Sequence, residues 1–193
     1  MAFPDFRAAD AIAVRTSVKL LDGPLDLALP TPCAGWNLAD LLAHMTVQHL
    51  GFAAAARGEA WPLDRWRPGR LGADPVAEYA AAAEDVIAAF AAVDALDLPM
   101  SLPEIAPGPL AAWRGIGAHA IDYVAHGWDV ARSVGRTFTL SEDVLTAVLP
   151  IAEGVPDGPS RDRPGSAFAH ALPVTGDAST LDRILLLLGR SPA

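Results

Sequence analysis

Apolar residues recur along this chain at helical spacing, and Pro- and Gly-rich stretches divide them into six runs. Phe6, Ile12, Val14, Val18 and Leu21 predict a helix over about 5–21, stopped by Asp22-Gly23-Pro24. A second helix starts after Asn37, a good N-cap with Asp40 three residues on. Its stripe is Leu38, Leu41, Leu42, Met45 and Phe52, and it runs to about Arg57-Gly58. A third spans about 74–94, with Asp74 as cap and Pro75 at the first helical position. The fourth is long, about 110–135, and ends at Gly135. A fifth covers about 141–152 after Ser141, and a short sixth about 180–189 after Ser179 or Thr180. Between them lie an extended linker before Asn37, a Trp/Pro/Arg-rich loop over 61–72, a Pro-rich linker over 97–109 and a Gly/Pro-rich stretch over 154–178, read as an ordered loop. No strand alternation and no repeat appears. Four long amphipathic helices predict an all-α four-helix bundle with additional short C-terminal helices. The 193 residues suit one domain, 1–193.

Composition narrows the function. Hydrophobic residues make up 52% of the chain and the mean hydropathy is +0.28, which is ample for a core. The formal net charge of −9 argues against sequence-independent nucleic-acid binding and against an anionic membrane surface. A small-molecule partner is left. The N-terminus has no basic start followed by an apolar run, and ILLLLG is too short to span a bilayer. The one cysteine, Cys33, excludes an intrachain disulfide and fits a reducing cytoplasm.

The chemistry concentrates in HAIDYVAHGWDV, His119 to Val130. On a helical wheel Leu110, Trp113, Gly117, Ala120, Ile121, Val124, Trp128 and Ala131 form one stripe. His119, Asp122, His126 and Asp129 fall on the opposite side. His119 and Asp122 are i,i+3 neighbours, and Asp122 and His126 are i,i+4 neighbours, so their side chains can reach one point. Imidazole and carboxylate ligate Zn, Ni, Fe or Mn. A solvated polar face explains the same pattern. The second helix offers His44 and His49; the wheel sets His49 nearer the apolar stripe and His44 at its edge, and does not select His44. Cys33, just before a helix N-terminus, suits a nucleophile or, more simply, a small buried side chain. Trp36, Trp113 and Trp128 suit a pocket lining or the core.

Two blocks are recognisable. TPCAGWNLADLLAHM resembles the T-P-C-x-G-W segment, ending in His, of the DinB-like metal-binding superfamily, nearest to the N-terminal domain of mycothiol-dependent maleylpyruvate isomerases. DYVAHGWDVARSVG resembles that branch's second block, in which an acidic residue, three spacers and His precede G-W-D. The ending FAHALPVTGDASTLDRILLLLGRSP is similar to the close of a short single-domain subgroup of metal-binding proteins. The resemblance covers nearly the whole chain.

Carried over by motif, the resemblance implies His44, Asp122 and His126 as metal ligands, and it overrides the wheel's preference for His49. The family commonly has Glu where this chain has Asp122. Asp is one methylene shorter, so His119 on the same face stands as a substitute ligand. The resemblance further implies a divalent metal, Zn or Ni foremost, a mycothiol-type thiol as cosubstrate, and a homodimer. The expected activity is a metal-dependent thiol transferase or isomerase, with loops 61–72 and 97–109 shaping the second substrate's pocket. The competing expectation is a metal- or ligand-binding bundle without turnover. Maleylpyruvate isomerisation itself is not expected, because the isomerase's additional C-terminal domain has no counterpart here. Asp129 is expected either to orient a ligand imidazole or to be a solvated carboxylate.

Overall fold

A computed structural model describes residues 3–163 and 166–192. It resolves into two compact units, Met1–Thr139 and Leu140–Ala193. The first unit holds α1 (Arg7–Lys19), α2 (Leu38–Ala56), α3 (Pro75–Ala91) and α4 (Ala112–Val134). Helices α1 and α2 each pack against both α3 and α4, which closes a four-helix bundle.

Local chemistry sets the helix ends. At α2, the Asp40 amide donates to the Asn37 side chain at 2.9 Å and the Asn37 amide donates to the Asp40 carboxylate at 3.1 Å, a reciprocal capping box. At α3, Asp74 Oδ1 accepts from the Ala77 amide at 3.0 Å, with Pro75 in the first turn. α4 ends on Gly135 at φ 67°, the left-handed position that glycine fills without a Cβ penalty.

The 97–109 linker departs from the expectation of no strands. Its flanks pair as a minimal antiparallel ladder, β1 (Pro99–Met100) with β2 (Leu110–Ala111), so α4 begins two residues later than predicted. A short 3-10 turn, Leu63–Trp66, carries Trp66 into the core. It lodges against Gly51 of α2, where any Cβ would come within 2.6 Å of the indole.

Three of the four polar residues on that side of α4 are not solvated, which corrects the alternative for them, while Asp122 is half-buried. His119 and Asp129 are 0% exposed and His126 4%. Helices α1 and α2 cover that side, since Asp10 of α1 meets His119 and His44 of α2 meets His126. Trp128 is buried with the core, while Trp113 is half-buried and stacks on Phe3 with ring centroids 6.2 Å apart.

The second unit holds α5 (Glu142–Gly154), a 3-10 turn at Pro159–Asp162 and α6 (Thr180–Leu187), with α5 packed on α6. Ser179 caps α6 through the Asp182 amide at 3.1 Å, whereas Ser141 stands at the cap position of α5 without a side-chain cap bond. The buried Arg161 guanidinium donates to four carbonyls, those of Val155, Pro156, Ala169 and Leu187, at 2.6–3.2 Å. This satisfies a buried charge while tying the loop to α6. The 154–178 stretch is thus ordered by specific bonds where it is described; Pro164 and Gly165 of that stretch lie outside the described residues. Among the described residues, no helix is long and apolar enough to cross a membrane.

Candidate metal centre

Helix α2 contributes His44 and α4 contributes Asp122 and His126 to one point of the first unit. Their ligand atoms all lie within 4.8 Å of one another. His126 Nε2 is 3.6 Å from Asp122 Oδ1, and the His44 and His126 rings meet edge-on at 5.3 Å. Asp122 and His126, one turn apart on α4, are aligned by helix geometry alone. His126 is buried, and His44 and Asp122 are half-buried.

The far side of His126 is held as firmly. Its Nδ1 donates to Asp129 Oδ2 at 2.9 Å, one turn further along α4. That bond presents Nε2 toward Asp122 and His44. A carboxylate behind a ligand imidazole is the usual support of a His-ligated metal. The Cys33 thiol donates to the same Asp129 oxygen at 3.2 Å and lies 3.9 Å from His126 Nδ1. Sequence spacing gave no hint of this neighbour, since Cys33 and Asp129 are 96 positions apart.

Cys33 sits at the start of a tight turn. The Trp36 amide donates to the Cys33 carbonyl at 3.0 Å, and Gly35 takes φ 80° inside the turn. Thr31 ties both ends: its hydroxyl donates to the Trp36 carbonyl at 2.9 Å and accepts from the Cys33 amide at 3.1 Å. The turn leaves Trp36 against His44, rings 5.0 Å apart, so the T-P-C-A-G-W segment serves the site as well as the start of α2.

Electrostatics separate the two imidazoles. Burial, reinforced by repulsion from His126 and opposed by Asp122, lowers His44 to about 4. Burial also disfavours a charged His126, but the Asp122 charge and the bonds to Asp129 and Cys33 outweigh it and raise His126 to about 10. Without a cation, one imidazole therefore carries a proton beside two carboxylates, and the other is neutral.

Both predicted loops approach. A recess of about 460 Å³ beside Trp36 is lined by Gly35, Trp36, Asp40, Ala43, Pro68 and Gly69, the last two from the 61–72 loop. From the 97–109 linker, Glu104 accepts from the Gln48 amide at 2.6 Å; Gln48 lies one turn after His44. Burial raises the Glu104 carboxyl, the Gln48 bond opposes this, and the Asp122 charge adds to it.

His119 does not join this site, which corrects its standing as a substitute ligand. Its Nδ1 bonds Asp10 of α1 at 2.6 Å and its Nε2 meets Nδ1 of His49 at 3.1 Å. His49 stacks on Tyr123 at 4.1 Å and is fully buried. The wheel's alternative to His44 thus belongs to a separate buried chain, Asp10–His119–His49, that links α1, α4 and α2.

The donor set fits a divalent cation. Two imidazoles and a carboxylate, with His44 and Asp122 half-buried, match a His–carboxylate–His donor set.

Comparison with known proteins bears on this site. A family model described as the mycothiol maleylpyruvate isomerase N-terminal domain matches residues 7–131, which include His44, Asp122 and His126. Two proteins of Mycobacterium tuberculosis, one from strain H37Rv and one from strain CDC 1551, are each 30% identical over 186 residues. The match takes in 96% of this chain and 94% of theirs, and both are described as uncharacterized. No solved structure matches.

Proposed function

The chain belongs to the mycothiol maleylpyruvate isomerase N-terminal domain family, and on that premise we propose that it binds one divalent cation through His44, Asp122 and His126 and uses it in low-molecular-weight thiol chemistry. The observation that carries the reading is the convergence of those three side chains, with Asp129 behind His126. A cation held there, Zn or Ni foremost, would stabilise a bound thiol as its thiolate near neutral pH.

The protein groups then have defined tasks. Asp129 holds the proton of His126 Nδ1 and so keeps Nε2 turned to the site. Trp36 walls the His44 side. The recess beside Trp36 is the seat proposed for the second substrate, an electrophile. Glu104, held by Gln48 and near enough to Asp122 to feel its charge, is the acceptor proposed for a proton released at the thiol. The reaction class is S-transfer to an electrophile, or an isomerisation that proceeds through thiol addition and release. The cosubstrate is a mycothiol-type thiol, and the compartment is a reducing cytoplasm that suits a single free Cys33.

The runner-up is a cation- or ligand-binding bundle without turnover, favoured by the deep burial of His126. The two readings separate in one assay. Metal-loaded protein is given mycothiol, glutathione or bacillithiol with a panel of electrophiles, and thiol loss is followed. Metal-dependent consumption supports the enzyme. A full panel without consumption leaves the binder.

A further inference from the structure

The side of His126 that faces away from Asp122 carries a second donor set. Cys33 Sγ, Asp129 Oδ2 and His126 Nδ1 are 3.2, 3.9 and 2.9 Å apart pairwise, taken as sulfur to oxygen, sulfur to nitrogen and nitrogen to oxygen. Bond lengths of about 2.3 Å to sulfur and 2.0 Å to nitrogen or oxygen give tetrahedral edges of roughly 3.3–3.5 Å. The three separations therefore lie within about half an ångström of those edges. Helix α4 fixes His126 and Asp129, one turn apart. Cys33 stands on the turn before α2, half-buried, outside any helix.

We propose that Cys33, Asp129 and His126 Nδ1 form a second, alternative cation seat that takes strongly thiophilic divalent ions such as Cd. The seat differs in kind from the His44–Asp122–His126 set, which has only nitrogen and oxygen donors. A thiolate donor selects the softer ions. It also shares one imidazole with that set, through the opposite ring nitrogen.

Two consequences follow from the sharing. An ion on the sulfur side displaces two protons to solvent, the Cys33 thiol proton and the one by which His126 Nδ1 bonds Asp129. Nε2 then carries the ring proton and faces Asp122 Oδ1, 3.6 Å away, as its acceptor. The nitrogen–oxygen site loses His126 as a ligand while the sulfur seat is filled, so thiophilic ions compete with harder ions for the chain. The inference does not rest on the thiol chemistry proposed above, and it stands or falls on sulfur coordination alone.

The test is a cadmium titration of the tag-free, metal-free protein, read by ultraviolet sulfur-to-cadmium charge-transfer absorption and by cadmium NMR. The expected result is one bound ion per chain with the charge-transfer band and a resonance shifted toward sulfur ligation. The band persists in His44→Ala, which removes only the nitrogen–oxygen set, and is lost in Cys33→Ser. Cadmium bound to the wild type without the band or the shifted resonance overturns the proposal, as does no binding at all. Should Cys33→Ser fail to fold, wild-type protein alkylated at Cys33 takes its place, and the wild-type NMR signal decides without any variant.

Discussion

His126 Nδ1 donates to Asp129 Oδ2 at 2.9 Å inside the bundle, with both side chains almost wholly buried. The bond makes Asp129 the positioning residue of the proposed site: it fixes which ring nitrogen faces His44 and Asp122. Asp129→Asn keeps the shape and removes the charge. Metal affinity is expected to fall about 10–100-fold, the usual effect of losing such a support. Calorimetric titration of Zn or Ni into the two proteins measures it; equal affinities would show that the bond does not serve a ligand.

Metal uptake should depend on pH in one direction. His126 sits at about 10 in the cation-free site, so binding must displace its proton, whereas His44 at about 4 has none to lose near neutrality. Apparent affinity is expected to rise about tenfold per pH unit between about pH 6 and 9, the slope of one displaced proton. Titration in buffers matched for ionic strength gives the slope. A flat profile would contradict the raised His126.

The Asp10–His119–His49 chain is a cost of the fold as well as a tie. Asp10 Oδ2 and His49 Nε2 are buried without a hydrogen-bond partner, while the inner bonds of 2.6 and 3.1 Å join three helices. His119→Phe fills the space but leaves the Asp10 carboxyl unpartnered. It is expected to destabilise the first unit by about 3 kcal/mol. Adding Asp10→Ala should recover part of that loss, because the orphaned group goes too. Denaturant unfolding of the wild type, the single variant and the double variant checks the order. A single variant as stable as wild type would show that the chain contributes nothing.

Burial, with the neighbouring His119, pushes His49 well below its ordinary 6.5. A depressed folded value stabilises the fold above the unfolded value and loses that contribution as pH falls. Protonation therefore adds acid sensitivity to the first unit, beginning below about pH 6.5.

In the second unit His170 is clasped between Asp162 at 2.8 Å and Asp157 at 2.7 Å. The bonds to Asp162 and then Asp157 raise it above 6.5. The sign is opposite to that of His49. The clasp is fully formed below about pH 6.5 and weakens as pH rises through the raised folded value. Proton NMR should follow the His170 ring titrating above 6.5, and Asp162→Asn should move it down. A midpoint unchanged by that variant would remove the clasp.

Much of the bundle was legible in the sequence because its helices announce their ends. Asn37 with Asp40, Asp74 with Pro75, and Gly135 each mark a boundary that the structure keeps within a residue or two. The two-residue strands were not legible, since so short a ladder has no alternation to read. His44 was legible only through the family's T-P-C-x-G-W block, because periodicity favours His49. Periodicity was right about burial: His49 is the fully buried one. The partners of Cys33 and His119 were not legible, because the contacts Cys33–Asp129 and Asp10–His119 span 96 and 109 positions. No local spacing encodes such pairings; helix packing decides them.

The central claim is that His44, Asp122 and His126 hold one divalent cation. The most direct measurement is elemental analysis of tag-free protein beside a His44→Ala/His126→Ala double variant, each incubated with Zn or Ni and then desalted. The account predicts about one equivalent of metal per chain in the wild type and none at this site in the double variant, with both proteins folded by circular dichroism. Equal metal content in the two, or none in either, would contradict it.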